Sequence, residues 1–203
     1  MPVIDGRRAR GARSRGAIMH LAVNSASVNG LNGLSIGGLA ADSELSKSGV
    51  VALFGTKEEL QLATIAAARE IFLAQVVEPT LAEPGGVERL ETLLATWLDY
   101  SRTRVFEGGC FFAAAIAEVG AKPGPVRDAV ALAVDDWYDF VSRTVARAQV
   151  KGELDAAINP DELGFALTSY LETANSRSLI SGSSEPYELA AAAARTVLKS
   201  ARS

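Results

Sequence analysis

Apolar residues recur every three or four positions along most of the 203-residue chain, and polar or Gly/Pro breaks divide that pattern into nine helical segments. Ile18, Leu21, Ala22, Ser25 and Val28 share one face of a first helix that stops at Gly30. Ser35 is placed to cap a second helix with Ile36, Leu39 and Ala40 on one side, and the polar run Asp42-Ser43-Glu44-Leu45 ends it. A third opens at Ser46 and runs to Phe54. Its Val50 and Phe54, one turn apart, point inward, which leaves Lys47, Ser48 and Val51 facing outward near its start. Thr56 and Glu59 have the spacing of a capping box. The helix they open carries Leu60, Ala63, Thr64, Ala67, Ile71 and Ala74 on one stripe and is predicted to end near Val77, before Pro79.

The remaining segments are longer. After Pro84-Gly85-Gly86, the residues Leu90, Leu93, Leu94, Trp97, Leu98 and Val105 repeat at helical spacing until Gly108-Gly109 breaks them, and a short apolar helix spans 110–119. Pro125 suits the first turn of a long helix reaching about Lys151. That helix has apolar residues on several sides: Val126, Val130, Val134 and Trp137 on one stripe, Leu132 and Phe140 on others. Deep burial is predicted for it. Gly152 stops it. Asn159-Pro160 followed by Asp161 and Glu162 starts the next helix, lined by Phe165, Leu167, Tyr170 and Leu171. Ser184 is predicted to cap the last, in which Leu189, Ala193, Val197 and the 190–194 alanine run offer a small-residue surface. The fold class is all-α, with no internal repeat.

Composition sharpens this picture. Hydrophobic residues make up 48% of the chain and aromatics 6%, which favours packed helices. The apolar runs 113–117 and 189–194 are too short to span a bilayer and no signal segment opens the chain, so a cytoplasmic protein without membrane attachment is expected. Cys110 and His20 each stand alone, which excludes an intrachain disulfide and any cysteine or histidine cage. No metal and no cofactor are expected. An enzyme is not expected either: there is no nucleophile and base at credible spacing and no phosphate loop. The net charge of −4 argues against nucleic acid until its distribution is considered. Arg7, Arg8, Arg10, Arg13 and Arg15 crowd the start against only Asp5, whereas the acidic excess follows residue 60.

A short helix showing small and cationic groups at its N-terminal turn suits entry into a DNA major groove. The surrounding stretch resembles the tetracycline-repressor (TetR) family. The likeness rests on Ile18 and Ala22, Gly30, the segment Ser35-Ile36-Gly37-Gly38-Leu39-Ala40, Ser46-Lys47-Ser48-Gly49, Phe54, and Lys57-Glu58-Glu59-Leu60. It covers about the first third of the chain, and its specificity lies in many positions matching together. The segment from Gly108 to Val130 also looks like the ligand-domain segment of one subgroup. The resemblance implies a flexible basic arm over 1–12, an N-terminal three-helix helix-turn-helix DNA-binding domain over 13–56, and a C-terminal helical ligand-binding and dimerisation bundle over 57–203. It also implies that the last two helices pair with those of a second subunit. Dimerisation has a physical argument of its own, since one two-helix motif covers few base pairs and twofold pairing doubles the contacts.

On this reading Lys47 contacts guanine or phosphate, Ser46 and Ser48 cap the helix or bind phosphate, and Gly49 allows close approach. Ser35, Val51, Lys57, Arg13 and Arg15 complete the expected DNA-binding set; Lys57 and the amides beside it can hold a backbone phosphate. Three positions depart from the family pattern. Glu44 stands where glycine is usual, and Val51 and Leu53 stand where an aromatic residue and a histidine are common. Trp97, Tyr100, Phe111, Phe112, Glu118, Trp137, Tyr138 and Phe165 are candidates for the wall of a ligand pocket, each aromatic having plain core packing as its alternative. Cys110 is a candidate sensor thiol or an inert buried one. The expected function is a dimeric, ligand-responsive transcriptional regulator, a repressor on a palindromic DNA operator that a small-molecule inducer of unknown identity releases. The alternative is a dimeric ligand-binding or protein-interaction module whose DNA binding is weakened or lost.

Overall fold

The computed structural model describes the backbone of residues 6–43 and 45–202, and side chains from residue 15 onward apart from residue 44. Arm residues 1–5, the turn residue Glu44, and the side chains of Arg7, Arg8, Arg10 and Arg13 therefore lie outside the described residues. Among the described residues nine helices follow in order: α1 Gly6–Gly33, α2 Ile36–Asp42, α3 Lys47–Phe54, α4 Lys57–Ala82, α5 Val87–Arg102, α6 Phe111–Val119, α7 Pro125–Val150, α8 Pro160–Ser181 and α9 Glu185–Ser200. Among the described residues no strand forms; one isolated bridge joins Leu154 to Arg202.

Local chemistry accounts for most boundaries. Ser35 accepts the Gly38 amide and Ser46 the Gly49 amide. Thr56 and Glu59 complete a reciprocal capping box, in which the Thr56 amide and hydroxyl hold the Glu59 carboxyl below its usual range. Gly30, at φ 75°, breaks α1 as expected, because that backbone conformation is costly for any residue with a Cβ. Pro125 and Pro160 open α7 and α8, and left-handed Gly182 closes α8.

Several expectations are corrected. Helical backbone extends back to Gly6, into the stretch expected to be arm. α4 does not stop near Val77: it passes through a π-helical turn, Leu73–Val77, and continues beyond Pro79 to Ala82. The widened turn absorbs the proline, whose missing N–H and bulky ring would otherwise break the ladder. The buried stripe of α4 is also rotated, to Leu60, Gln61, Thr64, Ile65, Ala68, Phe72 and Val76, with Ala74 exposed. α5 ends at Arg102, so Val105 lies in a loop. α7 is deeply buried mainly in its second half, at Val141, Thr144, Val145 and Ala148; in its first half only Val130 is buried, and Leu132 is 64% exposed. α9 turns Tyr187, Ala190, Ala194 and Leu198 inward and leaves Leu189 outside. Ser184 makes no capping bond; the Ser183 hydroxyl accepts the Glu185 amide instead.

α1 packs on α4 and α6, α8 packs between α7 and α9, and α5 sits in the middle of the bundle. A main hydrophobic core runs through these contacts from Ile18 to Ala201, and a smaller cluster of Ala174, Tyr187 and Ala190 lies between α8 and α9. By length and composition α4 could cross a membrane, but here its apolar side chains enter that core. A buried polar knot ties the α5–α6 loop to the last two helices. Ser101 donates to Asn175 at 2.9 Å, the Cys110 amide donates to the same oxygen at 2.9 Å, and Tyr187 meets Ser101 at 2.9 Å. Arg104, in the left-handed region at φ 54°, donates to Tyr187 and Ser178. Every polar atom of such a knot needs its partner, so its cost is offset only when it closes completely.

Candidate nucleic-acid interface and ligand cavity

α3 is anchored from beneath and bare above. Val50 and Phe54 are buried, while Lys47, Ser48 and Val51 are exposed, Val51 by 48%. The Ser46 hydroxyl accepts the Gly49 amide at 3.2 Å and lies 3.0 Å from that of Ser48. Ser35 is exposed at the start of α2, and the Lys47 chain passes over Gly37, where an added methyl group would meet it at ordinary contact distance. Two of the expected cations also have work inside the chain. Arg15 donates to the Leu53 carbonyl at 2.6 Å and stacks 4.8 Å above the Phe54 ring, and Lys57 donates to the Asn32 carbonyl at 2.6 Å. Both remain exposed, so their charge still faces solvent on the α3 side.

A cavity of about 390 Å³ opens between α4 and α7, with α5, α6 and α8 forming its remaining wall. Of the sequence candidates, Trp97, Phe112 and Trp137 line it, and Cys110 lies on its wall. Phe72, a residue the sequence reading missed, is the hub: its ring meets Trp137 edge-on at 5.1 Å, Tyr100 at 5.5 Å and Phe112 at 6.1 Å. Tyr100 and Phe111 are buried behind this wall. Tyr138 stands outside it and donates at 2.7 Å to Glu172, which does line the cavity. That bond and burial push the Tyr138 phenol up to about 12, burial being the larger cause. Phe165 is 67% exposed on α8 and does not line the cavity. Burial likewise pushes the Cys110 thiol up to about 11, which keeps it protonated and unreactive.

Glu118 also leaves the cavity. From the end of α6 its carboxylate accepts the Leu31 amide at 2.5 Å and the Asn32 amide at 2.7 Å, immediately after the Gly30 break in α1. Gln61 of α4 donates to the Leu31 carbonyl at 2.9 Å from the other side. The face of α6 that carries Phe112, Ala113 and Ile116 lines the cavity, so one short helix touches both the cavity and the junction of α1 with α2. The charged lining, Arg69, Arg89, Asp136, Arg143, Arg147 and Glu172, was not foreseen, because charged residues on long helices read as solvated faces in the sequence. Among the described residues no group of three metal-ligating side chains occurs.

Comparison with known proteins agrees with this arrangement. Solved structures share the whole fold. A TetR transcriptional regulator from Chloroflexus aurantiacus superposes with a TM-score of 0.88 at 22% identity, covering 96% of this chain and 98% of its own. A TetR-family regulator from Agrobacterium tumefaciens superposes at 0.83 and 14% identity, covering 95% and 100%. AibR, in a structure with isovaleryl coenzyme A and operator DNA, superposes at 0.68 and 19% identity, covering 80% and 86%. No curated protein sequence matches the chain. The family profile described as the tetracyclin repressor-like C-terminal domain matches residues 86–194, more than half of the chain, from the start of α5 into α9. With that match across the bundle and the fold shared from α1 onward, the chain belongs to the TetR family of transcriptional regulators.

Proposed function

We propose that the protein is a dimeric, ligand-responsive repressor whose two α3 helices read successive major grooves of a palindromic operator. The observation that carries this reading is the N-terminal turn of α3, with Ser46, Lys47 and Ser48 exposed and Gly49 half-buried, held from below by Val50 and Phe54. On this reading residues 13–56 form the DNA-binding domain and 57–203 the ligand-binding and dimerisation domain, acting in the cytoplasm. Ser35, Val51, Lys57, Arg13 and Arg15 flank Lys47 as further DNA contacts. Dimerisation is supported by apolar side chains left outside on α8 and α9: Phe165 at 67% exposure, Ile180 at 91% and Leu189 at 55%. A small molecule entering the cavity would displace α6, and Glu118 would carry that shift to the end of α1 and so change the spacing of the two α3 helices. The ligand must bind the two spacings unequally, or nothing follows. The structure of AibR with both a coenzyme A ester and DNA bears on the feasibility of joining these two functions on one such fold.

A second reading, a ligand-binding module with weakened DNA binding, is favoured by Arg15 and Lys57 each being committed to a main-chain carbonyl. A gel shift with the DNA upstream of the chain's own gene separates the two. The first reading expects a discrete complex whose affinity falls steeply with salt; the second expects weak binding with a flat salt dependence. Lys47→Ala is expected to weaken the complex by about 1 to 3 kcal/mol with an unchanged melting temperature. Unchanged affinity would remove Lys47 from the contact list.

A further inference from the structure

Six charged side chains line the cavity: Arg69, Arg89, Arg143 and Arg147 against Asp136 and Glu172. The two acids are already engaged. Asp136 pairs with Arg69 at 2.7 Å, and Glu172 takes the Tyr138 phenol at 2.7 Å. Of the three remaining cations, Arg89 donates to the Glu83 carbonyl, which leaves its charge uncompensated. Arg143 donates to the Asp139 carbonyl at 3.1 Å and makes a solvent-exposed pair with its carboxylate at 3.2 Å, and Arg147 has no hydrogen-bond or ion-pair partner among the described residues.

These three share one end of the cleft. The C-terminal end of α7 docks on the start of α5, where Lys151 donates to the Gly85 carbonyl and Glu153 accepts the Val87 amide at 2.6 Å. This places Arg147 beside the first turn of α5, which carries Arg89, and Arg143 lies one turn back along α7. The Arg69–Asp136 pair closes the other end, eleven residues away along α7, or roughly 16 Å at helical rise. Between the two ends the wall is aromatic, with Phe72, Trp97, Phe112, Trp137 and Phe140. A low-dielectric trough that ends in three cations, only one of which has an acid partner and that an exposed one, attracts one kind of molecule.

Building on the reading of this cavity as the ligand site, we propose that it takes an amphiphilic organic anion, its apolar body along the aromatic wall and its acidic head between Arg143, Arg147 and Arg89. Tyr138, which holds Glu172, stands nine residues before Arg147 along α7, roughly 13 Å by helical rise, and five before Arg143, roughly 7 Å, so this carboxylate lies nearer the middle of the trough than its Arg147 end.

The chain's two tryptophans, Trp97 and Trp137, both line the cavity, so their emission reports occupancy without DNA. The full-length protein is titrated with decanoate, decyl phosphate, decanol and decyltrimethylammonium, each below its micelle-forming concentration. At least one of the two anions is expected to bind about tenfold more tightly than decanol and the cation, and the stronger of them names the head group. Arg143→Gln and Arg147→Gln, both at exposed positions, are each expected to reduce anion affinity about tenfold and leave decanol unchanged. Equal affinity for all four probes, preference for the cation, or anion binding indifferent to both substitutions would overturn the head-group assignment while leaving the cavity as a ligand site. No change in emission with any probe would overturn both.

Discussion

At the residue scale, one glycine sets how closely the N-terminal helices approach the bundle. Gly108 lies so close to α1 that a methyl group there would collide with the Ser27 carbonyl, and its own amide is bound by the Ser27 hydroxyl at 3.0 Å. Two backbones meet at this point and neither is a flexible side-chain tip, so Gly108→Ala is expected to cost about 3 kcal/mol, read as a lower urea midpoint with an unchanged slope. Cys110 tests electrostatics instead. Its thiol ionises near its ordinary value of 9.0 in the unfolded chain but is pushed up to about 11 by burial in the folded one. The folded state keeps the proton that the unfolded state releases, so the contribution is complete below pH 9 and is lost as pH rises to 11. Cys110→Ala is therefore expected to flatten the fall in stability between pH 9 and 11, and the wild-type thiol to resist iodoacetamide at pH 8.

At the element scale, α6 connects two regions that the chain order separates. Its inner face lines the cavity, and its last turn sends Glu118 to two amides at the Gly30 break. Those amides begin a new stretch of helix, where they lack intrahelical partners, so the carboxylate acts as a cap supplied from a distance. Glu118→Ala is expected to cost about 1 to 3 kcal/mol and to accelerate hydrogen exchange selectively at Leu31 and Asn32. If exchange rises uniformly across α1 or not at all, the cap is not what holds the junction. The π turn in α4 plays a comparable part, because it lets one helix run from the capping box at Thr56 past Pro79 to Ala82 and form a full wall of the cavity.

At the scale of the whole molecule, the apolar residues left over are as informative as those used. Ile180 is 91% exposed and Phe165 67% exposed along α8, and Leu189 is 55% exposed on α9, so these two helices carry a surface that one chain does not cover. Ile180→Glu is expected to shift the protein from dimer to monomer by light scattering, with a nearly unchanged monomer fold and weaker operator binding. A chain that is monomeric before substitution would remove the dimer from the proposal.

The sequence by itself determined the elements that local chemistry controls. Caps at Ser35, Ser46, Thr56 and Asn159, breaks at Gly30 and Gly152, and proline starts at Pro125 and Pro160 are decided by side chains bonding their own backbone within a few residues. The outward turn of α3 was legible for the same reason, since an eight-residue helix with Val50 and Phe54 one turn apart has only one face to bury. Tertiary structure alone decided which side of a longer helix meets the core. It turned Leu189, Phe165 and Leu132 outward, sent Glu118 to main-chain amides some 87 residues away, and gathered three arginines at one end of an aromatic trough. Helical periodicity marks several faces of an apolar helix as equally fit for burial, and which of them is chosen depends on neighbours distant in sequence.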